Sequence, residues 1–342
     1  MTVPRGFGTQ ATSPTSHLRD NVETPDFSAS ANPIMLLSGT ANRSLAEGIA
    51  EVLGEELCDV TIKRFADGEI FVGIEENVRG RDVFLIQSTS PPAENILELL
   101  ILIDAARRAS AARITAVVPY YGYGRSDRKD QPRVAIAAKL MANLMTAAGA
   151  DRVLSIDFHQ HQIQGFFDIP VDHLYAAPVF RRYYEMKKFD NLCVVATDVS
   201  AAKMARGYAK RLGGDLAIID KRRPAPNVAE VAHIVGDVSG KDCIVPDDMI
   251  DTAGTMATTI DVIREQGAKD IYVLATHPLF SGPAVERLAN ANVTEITVTD
   301  TVPISDEVRE ALPNLTVLSV SSLLAQAIES THTNSSVSML FN

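Results

Sequence analysis

Cysteine is scarce in this 342-residue chain: Cys58, Cys193 and Cys243 are the only three, far apart and without metal-type spacing. Each lies in an apolar, strand-like run, so they read as buried, reduced core residues. That excludes a disulfide framework and a thiolate metal site. Positive charge is also in deficit, with 32 Lys and Arg against 43 Asp and Glu and a net charge of −11. Such a balance argues against non-specific binding to nucleic acid or anionic membranes as the main activity. No window approaches the roughly 18 uninterrupted apolar residues of a membrane-spanning helix. The expectation is a soluble, cytoplasmic protein whose few basic clusters are local and purposeful.

What is present is ordinary for a globular chain, 46% hydrophobic and 22% charged residues, at a length sufficient for two domains with their own cores. Residues 1–32 are rich in Ser, Thr, Asn and Pro without periodicity and read as a disordered N-terminal extension. That stretch lacks the apolar centre of a secretory signal, and its low Arg content and absent amphipathicity disfavour a transit peptide. From residue 34 strands alternate with helices: strand patterns at 34–38, 60–64, 70–74, 82–87, 114–119 and 152–156, and helical ones at 42–53, 94–109 and 135–148. The 94–109 helix is apolar on most faces, as in a buried or interfacial helix. A second set begins near 192, with strands at 192–196, 215–219, 242–245, 271–275, 295–299 and 316–320, β character over 228–238, and helices at 200–212 and 321–330. The pattern predicts an α/β fold of two tandem sheets, each parallel by the crossover rule. The expected domains are 33–172 and 173–320, with a C-terminal helix and tail, 321–342, packing back on the N-terminal domain.

The chemistry gathers where strands end. Val-Pro-Asp-Asp-Met-Ile-Asp-Thr-Ala-Gly-Thr (245–255) reads as strand, loop, helix. Thr252, Ala253, Gly254 and Thr255 would offer uncommitted backbone N–H groups and a positive helix end to a phosphate. Asp247 and Asp248 would accept hydrogen bonds from vicinal sugar hydroxyls. An ordinary connection with an acidic N-cap has the same spacing. The loop 120–133 places Arg125, Arg128, Lys129 and Arg133 at a strand exit of an acidic protein, as a polyphosphate ligand requires; a solvated basic loop is the alternative. Asp157-Phe158-His159-Gln160-His161 ends another strand; a lone histidine is more often a hydrogen-bonded structural residue than a metal ligand, and His159 has the better claim of the two. A further cationic exit is Asp220-Lys221-Arg222-Arg223-Pro224.

From about residue 34 to the C-terminus the chain resembles the ribose-phosphate diphosphokinases, or phosphoribosyl pyrophosphate synthetases, of the phosphate-dependent class. The resemblance is carried by Arg-Phe-Ala-Asp-Gly-Glu (64–69), Tyr-Tyr-Gly-Tyr (120–123) with Arg125 and Asp-Arg-Lys (127–129), Gln-Ile-Gln-Gly-Phe-Phe-Asp-Ile-Pro (162–170), Asp-Lys-Arg-Arg-Pro (220–224) and Asp-Asp-Met-Ile-Asp-Thr-Ala-Gly-Thr (247–255). It implies two phosphoribosyltransferase-like domains and transfer of the diphosphoryl group of ATP to the 1-hydroxyl of ribose 5-phosphate, with Mg2+ required. It implies that Phe65, Asp67 and Glu69 bind adenine from a neighbouring subunit and that Arg125, Ser126 and Asp127 lie in the ATP loop. It makes His159 and Asp198 metal ligands, Lys221 and Arg223 the catalytic cations, and Asp247, Asp248, Asp251, Thr252, Ala253, Gly254 and Thr255 the ribose 5-phosphate site. It further implies a homohexamer built from dimers, with phosphate and ADP as effectors.

Several residues depart from the family pattern. Ser126 replaces a usual Gln, Ala196-Thr197 stand before Asp198 in place of Ser-Pro, Ser200 and Ala201 replace two glycines beyond it, Gln160 and His161 stand at normally small positions, Pro278 replaces a usual Gly, and Pro246 removes a backbone donor at the mouth of a strand. If the glycines served a positive φ, their loss would cost about 1 kcal/mol. No charged group assigned to catalysis is missing, which favours an active enzyme over a catalytically weak regulatory paralogue. A phosphoribosyltransferase with the same sugar loop would explain neither the 120–133 loop nor Asp-Lys-Arg-Arg-Pro.

Overall fold

The structure, a computed structural model, describes residues 33–222 and 231–338, and its main compact unit spans Ile34–Asn342. The expected extension at 1–32 and Arg223 lie outside the described residues. The elements in order are β1 (Ile34–Ser38), α1 (Arg43–Leu53), β2 (Val60–Arg64), β3 (Ile70–Ile74), β4 (Asp82–Ile86), α2 (Glu94–Arg108), β5 (Arg113–Val118), α3 (Ala137–Ala148), β6 (Arg152–Ile156), β7 (Val171–Leu174) and α4 (Ala177–Glu185). They continue with β8 (Leu192–Ala196), α5 (Ala202–Leu212), β9 (Asp215–Arg222), β10 (Val231–Val235), β11 (Asp242–Ile250), α6 (Gly254–Glu265), β12 (Ile271–Pro278), α7 (Ala284–Asn290), β13 (Glu295–Thr299), α8 (Asp306–Ala311), β14 (Leu315–Leu318) and α9 (Ser321–His332).

Two sheets result, as the alternation predicts. The first has the order β1-β4-β5-β6-β7 and is parallel throughout; the second runs β10-β9-β8-β11-β12-β13-β14, parallel except where β10 pairs antiparallel with β9. β4, β8 and β13 are buried at every position, as strands covered on both faces must be. The pair β2–β3 is not part of either sheet: it forms a separate antiparallel hairpin. β7 straddles the boundary expected at 172 and completes the first sheet.

One apolar layer joins the halves. Leu36, Phe84 and Leu154 from the first sheet share a cluster with Val194, Ile244 and Leu274 from the second, and with Ile49 of α1, Phe180 of α4 and Ile328 of α9. α9 lies against α1. Its end is held on the first sheet, where Asp82 accepts hydrogen bonds from Arg113 Nε (2.8 Å) and pairs with His332 Nδ1 (2.7 Å), while Arg113 Nη2 donates to the Thr331 carbonyl (3.0 Å). The three cysteines are free and buried, and no described helix is long and apolar enough to cross a membrane.

Candidate active site

In the second sheet the chain leaves β8 for β9 on one side and returns to β11 on the other, so β8 and β11 flank the point where strand order reverses. Crevices outside the carboxyl ends of such strands are where open α/β sheets bind ligands. Asp198 follows β8, and Asp247 and Asp248 stand near the end of β11.

Asp247 and Asp248 do not lie in a loop. β11 continues through them to Ile250, with Asp247 opposite Ala275 and Met249 opposite His277 on β12. Pro246 is tolerated because pairing with β8 ends at Ile244, which leaves its ring side without a ladder bond to lose. The strand puts two carboxylates side by side in a buried place, and one proton distinguishes them. Burial, reinforced by the charge of Asp248, pushes Asp247 up to about 8. Burial is the largest influence on Asp248 too and raises it, but the hydrogen bond from His159 Nδ1 (2.7 Å), the charge of that ring, the hydrogen bond with Asp247 and the nearby His277 together outweigh it and keep Asp248 below the usual carboxylate range. The same bond raises His159 against the effect of its burial. His159 therefore bridges the halves, from the loop after β6 to β11.

Below this pair the chain turns. Ala253 adopts the left-handed conformation (φ +56°) immediately before α6, an unusual state for a residue with a Cβ that persists only where the surroundings enforce it. Thr252, Ala253, Gly254 and Thr255 line a cavity of about 190 Å³ together with Asp247, Asp251 and Arg125. Arg125, from the loop after β5, donates through Nη1 to Asp251 Oδ2 at 2.5 Å, so the basic loop of the first half meets the acidic loop of the second. Ser281 and Arg125 hold the Asp251 carboxyl below its usual range.

Asp127 accepts a hydrogen bond from Gln162 Nε2 (2.9 Å), and Ser126 stabilises the loop through its backbone, donating to Tyr123 O and accepting from Ala138 N. Asp198 turns Oδ1 on its own segment, accepting from Ser200 Oγ (2.6 Å) and Ala201 N (2.8 Å), yet it is near enough to contribute to the raised state of Asp247. Ala201 has φ −74°, and Ser200 is not among the positive-φ residues, so the loss of the two expected glycines strains nothing. His161 is not directed to His159's partner; its ring lies against His173 (5.3 Å) and Tyr175 (5.7 Å). Phe65, Asp67 and Glu69 form the tip of the β2–β3 hairpin, where Glu69 N donates to Asp67 Oδ1 and Phe65 N to Glu69 O. Phe65 is 50% exposed. Lys221 belongs to the backbone of β9, opposite Ala232 on β10, and not to a loop: the strand runs past residue 219 because β10 pairs with it.

Three contributors escaped the sequence reading. Asp157, pushed up to about 6 by burial, accepts from Ala176 N (3.0 Å) and Thr276 Oγ1 (2.8 Å) and fixes the start of the His159 turn. His277 is buried against Tyr120 (4.9 Å) and contacts the Asp157 carbonyl through Nε2 (3.1 Å). Arg287 of α7 donates to the Thr252 carbonyl (2.8 Å). Their hydrogen-bond partners lie 19 to 120 residues away in the chain, and no local pattern links them.

Comparison with known proteins agrees with this fold. Residues 34–149 match the N-terminal domain of ribose phosphate pyrophosphokinase and residues 224–342 a phosphoribosyl synthetase-associated domain. The chain is 51% identical over 311 residues to a ribose-phosphate pyrophosphokinase of Chlorobaculum tepidum, covering 91% of this chain and 95% of that one. It is 50% identical over 314 residues to one of Fusobacterium nucleatum, covering 91% and 99%. The crystal structure of phosphoribosylpyrophosphate synthetase from Mycobacterium smegmatis superposes with a TM-score of 0.83 at 44% identity, covering 88% of this chain and 99% of that one. With motifs, fold and near full-length similarity in agreement, the chain belongs to the ribose-phosphate pyrophosphokinase family.

Proposed function

We propose that this enzyme transfers the diphosphoryl group of ATP to ribose 5-phosphate. The anomeric oxygen bonds to the β-phosphorus, the bond to the α-phosphate oxygen breaks, and AMP, phosphoribosyl diphosphate and one proton are released. The observation that carries the reading is the meeting of a cation-bearing loop and an acidic sugar-phosphate loop in one crevice, through Arg125–Asp251 and His159–Asp248. In it, Thr252 to Thr255 cradle the 5-phosphate, Asp247 and Asp248 receive the ribose hydroxyls, and Arg125, Ser126 and Asp127 hold ATP. Lys221 and Arg223 stabilise the charge that spreads over the phosphate oxygens, which is the main task of catalysis in this class.

The donor set fits magnesium. Among the described residues no three His, Cys or carboxylate side chains converge as a ready cage, and Mg2+ typically takes one or two protein ligands and completes its shell with waters and phosphate oxygens. Asp248 engages Nδ1 of His159 and so orients the ring with Nε2 turned the other way, as the partners of metal-bound histidines do. His159, through its Nε2, and Asp198 would hold the ion, which neutralises phosphate charge when bound. The reading extends to a cytoplasmic location, where ATP is abundant and buried thiols stay reduced. It includes assembly as a homohexamer of dimers, with the Phe65 hairpin tip supplied to a neighbour, and control by phosphate and ADP. Purified protein is expected to form AMP from ATP only when ribose 5-phosphate and Mg2+ are both present; no AMP at any phosphate concentration would overturn the proposal in favour of a regulatory paralogue.

A further inference from the structure

We propose that Arg287 is a positioning residue for the sugar-phosphate cradle, an inference that rests on the assignment of 252–255 to the 5-phosphate. The argument starts from the peptide plane. The carbonyl of Thr252 and the N–H of Ala253 belong to one trans peptide and point in opposite directions. Arg287 Nη1 donates to that carbonyl at 2.8 Å, and Arg287 does not line the cavity, whereas Thr252 and Ala253 do. Holding the carbonyl outward therefore directs the Ala253 N–H away from Arg287, to the cavity side. Ala253 sits at φ +56°, a conformation that needs an external restraint.

The guanidinium also lies against the next residue. A Cβ at Gly254 would come within 3.3 Å of Arg287 Nη1. The cation is thus placed behind the amides that face the anion, where it adds to the field of the α6 N-terminus without touching the substrate. The rest of the loop is held by the same segment: Leu279 N and Phe280 N both donate to the Ile250 carbonyl (3.0 and 2.9 Å), and Ser281 N donates to the Asp251 carbonyl (2.8 Å). Backbone bonds fix the carbonyls of 250 and 251, and Arg287 alone among these contacts fixes the peptide that carries the Ala253 N–H.

Arg287 is exposed, so replacing it opens no cavity in the core. The test is steady-state kinetics of Arg287→Met, Arg287→Lys and Thr255→Val in the full chain, together with calorimetric binding of ribose 5-phosphate. Arg287→Met is expected to raise the ribose 5-phosphate KM by about ten- to a hundredfold, the weight of a hydrogen bond to a charged group, with the ATP KM within twofold of the parent. Arg287→Lys, which keeps the charge but not the planar fork, recovers part of that loss; it also serves as the reading if the Met variant does not fold, with a severalfold rise in the same KM expected. A general structural role would instead lower kcat and move both KM values. A ribose 5-phosphate KM unchanged in the Arg287 variants but raised in Thr255→Val overturns the role of Arg287; unchanged in all three, it overturns the cradle assignment and the role of Arg287 with it.

Discussion

The pair Asp247–Asp248 shows how one residue's environment can set the demands of a site. Two neighbouring carboxylates on a buried strand cannot both ionise at little cost, and His159 decides which one does, by bonding to Asp248. Asp247 is left protonated to about pH 8, well above the range of an unfolded aspartate. The folded state therefore binds a proton that the unfolded chain gives up above about pH 4, so this group's contribution to stability declines as pH rises from about 4 to about 8. His159, raised by the same partner, adds a decline of the same sign above its ordinary pKa. Thermal melts of the magnesium-free, substrate-free protein are expected to lose stability across that window. Asp247→Asn should remove most of the slope and raise the melting temperature at pH 8, while weakening ribose 5-phosphate binding. An equal slope in the variant would show that Asp247 is ionised in the folded state.

At the level of elements, three strands, β9, β11 and β12, run further than their sequence patterns indicate, and two of them carry charged residues singled out above. β11 carries its carboxylates within the ladder and β9 carries Lys221, in each case because a neighbouring strand, β12 or β10, supplies the hydrogen bonds that polar residues do not announce. The β2–β3 hairpin stands apart from both sheets, with Phe65 edge-on to Phe71 (5.8 Å) at an exposed tip. An aromatic ring left half in solvent beside Asp67 and Glu69 suits a nucleotide site completed by another copy. Lys221→Ala is expected to lower turnover by about 10³-fold, as for other phosphoryl-clamping cations, and Phe65→Ala to raise the ATP KM. If the hairpin serves a neighbour's site, mixing the two impaired variants at limiting ATP, under conditions that exchange subunits, restores part of the activity, because some sites then combine an intact hairpin with an intact Lys221. Mixtures no more active than the separate variants would mean that each chain uses its own hairpin.

For the whole molecule, the shared apolar layer and α9 make one cooperative unit of two sheets that look separable in sequence. Asp82 is the polar anchor of that closure: it is buried, with a side chain 5% exposed, and faces Arg113, 28% exposed, and His332. Removing one partner from a buried ion pair strands the other charge, an effect of about 3–5 kcal/mol. Access of water to Arg113 reduces the expectation to about 2–3 kcal/mol for Asp82→Ala. Chemical denaturation should show this as a single transition moved to lower denaturant. A second, separate transition in the parent protein would instead show that the halves unfold independently.

Apolar patterns were enough to place most strands and the longer helices, because a buried parallel strand must be apolar along its length and a flanking helix must be apolar on one side, while the short β7, α4, α7 and α8 were not placed. The polar segments at strand ends were likewise legible as a group, and the structure brings Arg125 to Asp251 and His159 to Asp248. Tertiary structure decided what depends on partners distant in the chain. Which carboxylate keeps its proton is set by His159, 89 residues from Asp248. That Ser200 and Ala201 bring no positive-φ strain follows from backbone angles that no residue name reveals. The orientation of the cradle peptide rests on Arg287, 35 residues beyond Thr252, and a hydrogen bond to a carbonyl leaves no signature in sequence because every residue has one.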